Sequence, residues 1–161
     1  MDIMSLMKSL KKSKLYFFGN NRSYGREFDD IETCTDHNLP FPRSIITRSG
    51  EVIDSFGFSY DGYSLAHGGS GGNREEFVLM PDEYIVKVAG SFTYYNGEEL
   101  LRSLVFITNK GRKHTAGMPL NNGNFEFQAE EGYGICAVFG RSNQYVANVG
   151  FYTRKVDLPG K

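Results

Sequence analysis

The chain has 161 residues, enough for one domain with a sizeable buried core. Its 18 basic and 19 acidic side chains leave a formal charge of −1, which gives neither a nucleic acid nor an acidic lipid surface an electrostatic hold. Glycine (19), tyrosine (10) and phenylalanine (13) are abundant, the apolar runs are short, and none is long enough to cross a bilayer, so the composition predicts an all-β domain.

Residues 1–15 read as a basic N-terminal extension. Its lysines follow the apolar residues, the reverse of a signal peptide. It is either flexible or a short amphipathic helix with Ile3, Leu6, Met7 and Leu10 on one side and Lys8, Lys11 and Lys12 nearby. Cys34 and Cys136 are too few for a disulfide framework and no CxxC occurs, which predicts reduced thiols and a cytoplasmic or unconventionally secreted protein. From Tyr16 to Val156 the pattern is strand, turn, strand. "RSIITRSG" is a β-branched run with a glycine stop, and "VIDSFGFSYDG" alternates up to the Asp61-Gly62 turn. "EEFVLMPDEYIVKVAGSFTYYNG" holds two strands broken at Pro81-Asp82. "LLRSLVFITNKGRKHTAG", "NFEFQAEEGYGICAVFGRS" and "QYVANVGFYTRKV" follow, and 157–161 read as a tail. "GEELLRSL" alone has helical character, and its neighbours argue for strand.

Three segments look alike: "RSGEVIDSFGFSY" from Arg48, "NGEELLRSLVFIT" from Asn96 and "RSNQYVANVGFYT" from Arg141, spaced 48 and 45 residues apart. Aligned without gaps, Asp54 falls on Arg102 and Ala147, and Phe58 on Phe106 and Phe151. Repetition at this period means repeated supersecondary units sharing one core. Three blades are too few for a usual propeller. Three four-stranded sheets around a pseudo-threefold axis fit the length, each burying its inner Val, Ile, Leu and Phe against the other two.

"FDD" at Phe28 to Asp30, "RSGEVIDSFGFSYDG" followed by "HGGSGGN", "EEFVLMPDEYIVKVAGSF", "LRSLVFITNKGR" and "VFGRSNQYVANVGFY", in this order, resemble the jacalin-related lectins. The resemblance implies a β-prism of three Greek-key sheets and calcium-independent binding of mannose, glucose or galactose between a Gly-Gly loop and a GxxxD loop. It implies no cofactor, metal or catalysis. Its partners would be mono- or oligosaccharides and glycoproteins, and the chain would form a homo-oligomer. The chemistry suits a pyranose. A carboxylate accepts charge-assisted bonds from vicinal hydroxyls, neighbouring amides donate to ring and exocyclic oxygens, and glycines let the sugar approach.

The usual site of this family pairs an N-terminal Gly-Gly with a C-terminal GxxxD. Here "FFGNNRSYGREFDD" lacks adjacent glycines, and "SNQYVA" has Asn143 for the glycine and Ala147 for the aspartate. That site is degenerate, with Asn143, Gln144 and Tyr145 left for other polar contacts. The second repeat keeps both halves: "GEVID", with Gly50 and Asp54, and "HGG", with Gly68 and Gly69. A hexose there would use Asp54 and the main chain of Val52 and Ile53. The third repeat, with Arg102 in the aspartate place, looks inert. Two readings stand: a sugar site for mannose- or glucose-like glycans at the second repeat, or a structural loop on a prism serving as an interaction or assembly module.

Other chemistry is poorly supported. "HGGSGGN" lacks the Gly-Lys-Ser/Thr of a phosphate loop. His37, His67 and His114 have no metal-ligand spacing, and His67 reads either as bordering the glycine loop or, more plainly, as a surface histidine. Adjacent acids on strands point to opposite faces, which argues against a glycosidase pair. Cys136 reads as core. Tyr63, Tyr94, Tyr95 and Tyr145 lie near turns, where one or two could stack on a sugar.

Overall fold

The computed structural model describes residues 9–19 and 23–156. Among these, twelve strands and one short helix form three four-stranded sheets. The strands are β1 (Lys11–Lys12), β2 (Arg26–Asp29), β3 (Ser44–Ser49), β4 (Ile53–Tyr60), β5 (Tyr63–Gly68), β6 (Asn73–Val78), β7 (Ile85–Tyr95), β8 (Glu98–Thr108), β9 (Lys113–Gly117), β10 (Phe125–Gln128), β11 (Tyr133–Ser142) and β12 (Val146–Lys155). The helix, α1, is Ile31–Asp36.

Each sheet is a Greek key: β5-β4-β3-β6, β9-β8-β7-β10 and β1-β12-β11-β2. The third is the same motif assembled from both ends of the chain. A single pair, Ile85 opposite Ile135, joins the second and third of these sheets. The strands β4, β8 and β12, the three copies of the repeat, touch one another along the axis. Phe56, Phe58, Phe106 and Phe151 point there and are fully buried. The rings of Phe56 and Phe58 each stand 6.4 Å from that of Phe106, in tilted and edge-on contacts. The expected all-β prism with pseudo-threefold symmetry is the fold of this chain.

The pseudosymmetry extends to the irregularities. The ladder slips by one residue between Arg48 and Ser49, between Ser91 and Phe92, and between Arg141 and Ser142. In each case the unopposed residue is on the partner strand: Asp54, Arg102 and Ala147. A bulge bends the strand and re-aims the extra side chain. The three aligned positions of the repeat are thus three β-bulges at one end of the prism.

The basic extension expected over residues 1–15 enters the prism sooner than its boundary. Lys11 and Lys12 pair with Thr153 and Tyr152, and Tyr16 bridges to Val149. β12 has an edge to cover, and a two-residue lysine strand covers it without inviting further pairing. The ammonium groups lie over aromatic rings, Lys11 over Tyr133 at 4.5 Å and Lys12 over Phe139 at 4.5 Å. Leu10 packs against the core. The helix reading of Ile3 to Lys8 and the tail at 157–161 lie outside the described residues. No described helix is long and apolar enough to cross a membrane.

"GEELLRSL" is strand, within β8. The helix that does form, α1, has too few residues to show a period. It follows Asp29, whose Oδ1 accepts from the Ile31 amide at 3.2 Å, and it buries Cys34. Both cysteines are free and buried, and burial pushes the Cys136 thiol up to about 12.

Candidate functional site

The Asp54 carboxylate is positioned by its bulge. Ser55 lies opposite Arg48 and Ile53 opposite Ser49, and Asp54 between them opposes nothing. Its side chain turns toward the β5–β6 loop. A Cβ added to Gly71 would stand 2.8 Å from Asp54 Oδ2, and one added to Gly72 2.6 Å from Oδ1. Gly72 has φ +71°, a conformation that side chains rarely adopt. Glycine is therefore required there twice, by backbone and by space. The carboxylate and the bare loop sit together.

Asp54 is 9% exposed, and this burial raises its pKa above the ordinary 3.8, with its own amide and Arg48 acting in the opposite direction. Arg48 also holds the loop, with Nη1 donating to the Ser70 carbonyl at 3.2 Å. No described side chain hydrogen-bonds the Asp54 carboxylate.

The neighbouring β3–β4 loop supplies the donors. The Gly50 amide is spent on the Val52 carbonyl at 3.1 Å. The amides of Glu51 and Val52 have no partner among the described residues. Val52 and Ile53 are 2% and 0% exposed as whole residues and anchor the loop in the core, while Glu51 is the exposed residue of the turn. Ile53 opens β4, which puts the free amides at Glu51 and Val52.

The expected glycine pair needs revision. Gly68 ends β5, and a Cβ there would meet the Asp54 carbonyl oxygen at 2.1 Å. Gly69 donates its amide to that same carbonyl at 2.9 Å. Both glycines clamp the Asp54 main chain, while Gly71 and Gly72 face its carboxylate. The signal for them was the second glycine pair in "HGGSGGN". Gly50 is not required by space, since nothing lies within 4 Å of a Cβ added there.

The first repeat, formed by both termini and holding the family's usual site in its β11–β12 turn, has the same turn hydrogen bond and different chemistry. The Asn143 amide donates to the Tyr145 carbonyl at 2.9 Å, as Gly50 does to Val52. Asparagine at 143 thus keeps the turn. Two other things differ. Ala147 puts a methyl where Asp54 has a carboxylate, and the Tyr145 amide donates to the Tyr24 hydroxyl at 3.3 Å. A protein oxygen already occupies the amide corresponding to that of Val52. Tyr24 is itself held by Arg141, whose Nε donates to the Tyr24 carbonyl at 3.1 Å and whose Nη2 donates to the Gly25 carbonyl at 3.0 Å. In the third repeat Arg102 Nε donates to the Met118 carbonyl at 2.7 Å, tying down the loop after β9.

The histidines serve elsewhere. His67 stacks on Phe28, with centroids 4.0 Å apart, and its Nε2 meets Asp30 Oδ1 at 2.8 Å, joining two sheets. It turns to this tether instead of bordering the glycine loop. His37 bonds the Tyr63 hydroxyl and His114 bonds Thr47. No group of three metal-ligating side chains occurs among the described residues.

A three-sheet β-prism with turn-and-bulge loops at one end, one of them holding a carboxylate against a glycine loop, is the architecture that the resemblance implies. Residues 16–152 match the Jacalin-like lectin domain, and the chain belongs to that family. Horcolin from Hordeum vulgare is 27% identical over 120 residues, covering 68% of this chain and 79% of that protein. A mannose/glucose-specific lectin from Parkia pendula is 26% identical over 108 residues, 67% of this chain and 23% of that one. Among solved structures, a mannose-binding jacalin-related lectin from Ananas comosus superposes with a TM-score of 0.72 at 28% identity, covering 91% of this chain and 99% of that one.

Proposed function

We propose that this chain is a lectin for mannose- or glucose-like glycans whose working site is in the second repeat. Asp54 accepts from two vicinal hydroxyls, the Glu51 and Val52 amides donate to ring and exocyclic oxygens, and Gly71 and Gly72 let the ring approach. The observation that carries this reading is the contrast between equivalent loops. At the second repeat a carboxylate lies beside amides without partners among the described residues. At the first, Ala147 replaces the carboxylate and Tyr24 caps the amide. The choice of mannose or glucose leans on the mannose-binding lectin of Ananas comosus and the mannose/glucose-specific lectin of Parkia pendula.

Such a site is shallow and wet. Single-site affinity is weak, and a homo-oligomer acting on glycoproteins would supply avidity. The reading involves binding without turnover, so a reducing-end-labelled oligosaccharide should stay intact on incubation. A glycan array probed with the wild type and with Asp54→Ala tests the site. Signal on mannose- or glucose-terminated glycans that disappears in the variant is expected. Signal that survives would move the site elsewhere. Silence on every glycan would favour the rival role, a prism kept as an assembly module.

A further inference from the structure

The third repeat, inert when read from the sequence, keeps more of the site's frame than its residues suggest. A Cβ added to Gly117 would run into the Arg102 carbonyl oxygen, as one added to Gly68 would into that of Asp54. The Met118 amide donates to the Arg102 carbonyl at 3.2 Å, as the Gly69 amide does to Asp54 at 2.9 Å. Gly117 and Met118 thus take the places of Gly68 and Gly69, beside the same kind of bulge. The clamp is also held from the neighbouring sheet, where the Ser49 hydroxyl accepts from the Gly117 amide at 2.9 Å. One part of the frame is missing. Glu99 and Leu100, aligned with Glu51 and Val52, already stand in the ladder opposite Tyr94 and Thr93. The turn that bears open amides in the second repeat is therefore absent here, and what this loop offers a ligand is a guanidinium.

That guanidinium is fixed and unspent. Arg102 Nε donates to the Met118 carbonyl at 2.7 Å, which completes a reciprocal pair of bonds with the Met118 main chain. The bond uses one edge of the planar group and sets its orientation. The other edge, Nη1 and Nη2, has no partner among the described residues, and no described carboxylate pairs with it. Arg112 and Arg141, by contrast, are both ion-paired. Met118 and Leu120, in the same loop, are 49% and 41% exposed and give it an apolar rim.

We propose that the third repeat binds a sugar that carries a carboxylate, such as a uronic acid. The free edge of the Arg102 fork takes the two carboxylate oxygens in parallel charge-assisted bonds. The C–H face of the ring lies on Met118 and Leu120. A guanidinium donates and cannot accept, so it gives a neutral hexose nothing to hold its hydroxyl protons. The Nε bond orients the fork before the ligand arrives, which lowers the cost of binding. This site differs from that proposed at Asp54 in place and in ligand, and it stands without it.

Calorimetric titration with the methyl glycosides of glucuronic and galacturonic acid tests the proposal on the wild type, Arg102→Gln, Arg102→Lys and Asp54→Ala. At least one uronide should bind the wild type and Asp54→Ala alike. Arg102→Gln should weaken it about 10- to 100-fold, the worth of a charge-assisted bond or two. Arg102→Lys, which keeps the charge and can still reach the Met118 carbonyl, should fall between, with the melting temperature of the wild type. Added salt should weaken binding to the wild type. A glucoside carrying a sulfate ester should bind less tightly than the uronide, and inorganic sulfate less tightly still. Sulfate that competes as well as the uronide overturns the sugar and leaves an anion contact. A wild type that binds neither uronide, or an affinity that Arg102→Gln or Arg102→Lys retains in full, overturns the site. Binding lost in Asp54→Ala and kept in Arg102→Gln overturns it too, by placing the uronide at the second repeat.

Discussion

At Asp54 the demands of folding and those of the proposed sugar site diverge. Its burial raises the pKa, so the folded protein holds that proton more tightly than the unfolded chain does. The charged form therefore costs stability. The cost is absent below the ordinary 3.8 and fully present once pH exceeds the raised folded value. Asp54→Asn removes it. The variant should melt at or above the wild-type temperature at pH 7 and lose that advantage near pH 3, while losing glycan binding throughout. Wild-type affinity should fall as acid titrates Asp54, beginning at a higher pH than an ordinary carboxylate would. Binding isotherms across pH, set beside thermal melts of both proteins, check the two halves.

The glycines near it divide by the same argument. Gly72→Ala forces a side chain into a left-handed backbone and against Asp54 Oδ1, and should cost about 1–2 kcal/mol of stability together with sugar binding. Gly50→Ala enters open space without a positive φ and should leave both unchanged. Denaturant unfolding and glycan titration of the pair separate a glycine that is needed from one that merely completes a motif.

At the scale of elements, what distinguishes the three loops is the residue placed in an identical bulge. The slip after Arg48, Ser91 and Arg141 presents Asp54, Arg102 and Ala147 in turn. The backbone is reused, and the side chain decides whether the loop can take a hydroxyl, grip its own Met118 carbonyl or do neither. In the first repeat, Tyr24→Phe should cost about 1 kcal/mol, the net worth of one hydrogen bond, with monosaccharide affinity at the second repeat unchanged. Combining Tyr24→Phe with Ala147→Asp frees the amide and installs the missing carboxylate. The double variant should bind two monosaccharides per chain where the wild type binds one. A calorimetric stoichiometry that stays at one would mean that the bulge alone does not make the site.

At the scale of the molecule, three sheets share one axis, and β1 and β2 complete a sheet begun by β11 and β12. The first and last described strands are locked to each other, while the bulge loops stand at one end of the prism. The proposed single weak site per chain sets the expectation for valency. If the chain is a homo-oligomer, sedimentation should give a multiple of the single-chain mass, and a glycan-coated surface should retain the protein about 10²-fold better than soluble monosaccharide affinity predicts. A monomer that shows the same enhancement would place the additional contacts within one chain.

The all-β class, the threefold repeat and the pairing of Asp54 with a glycine loop were legible in the sequence. Alternation and turn residues act locally, and repeated units carry repeated patterns. Four features needed the tertiary structure. The two-residue strand at Lys11 and Lys12 exists only because β12 has an edge beside it. Six-residue α1 is too short to show a period. The task of each glycine depends on which atoms of Asp54 lie opposite. The cap of Tyr24 on Tyr145 joins residues far apart in the chain. Local periodicity records which face of a strand is buried; it holds no record of which distant oxygen will reach a given amide, because that depends on how the three sheets close on one another.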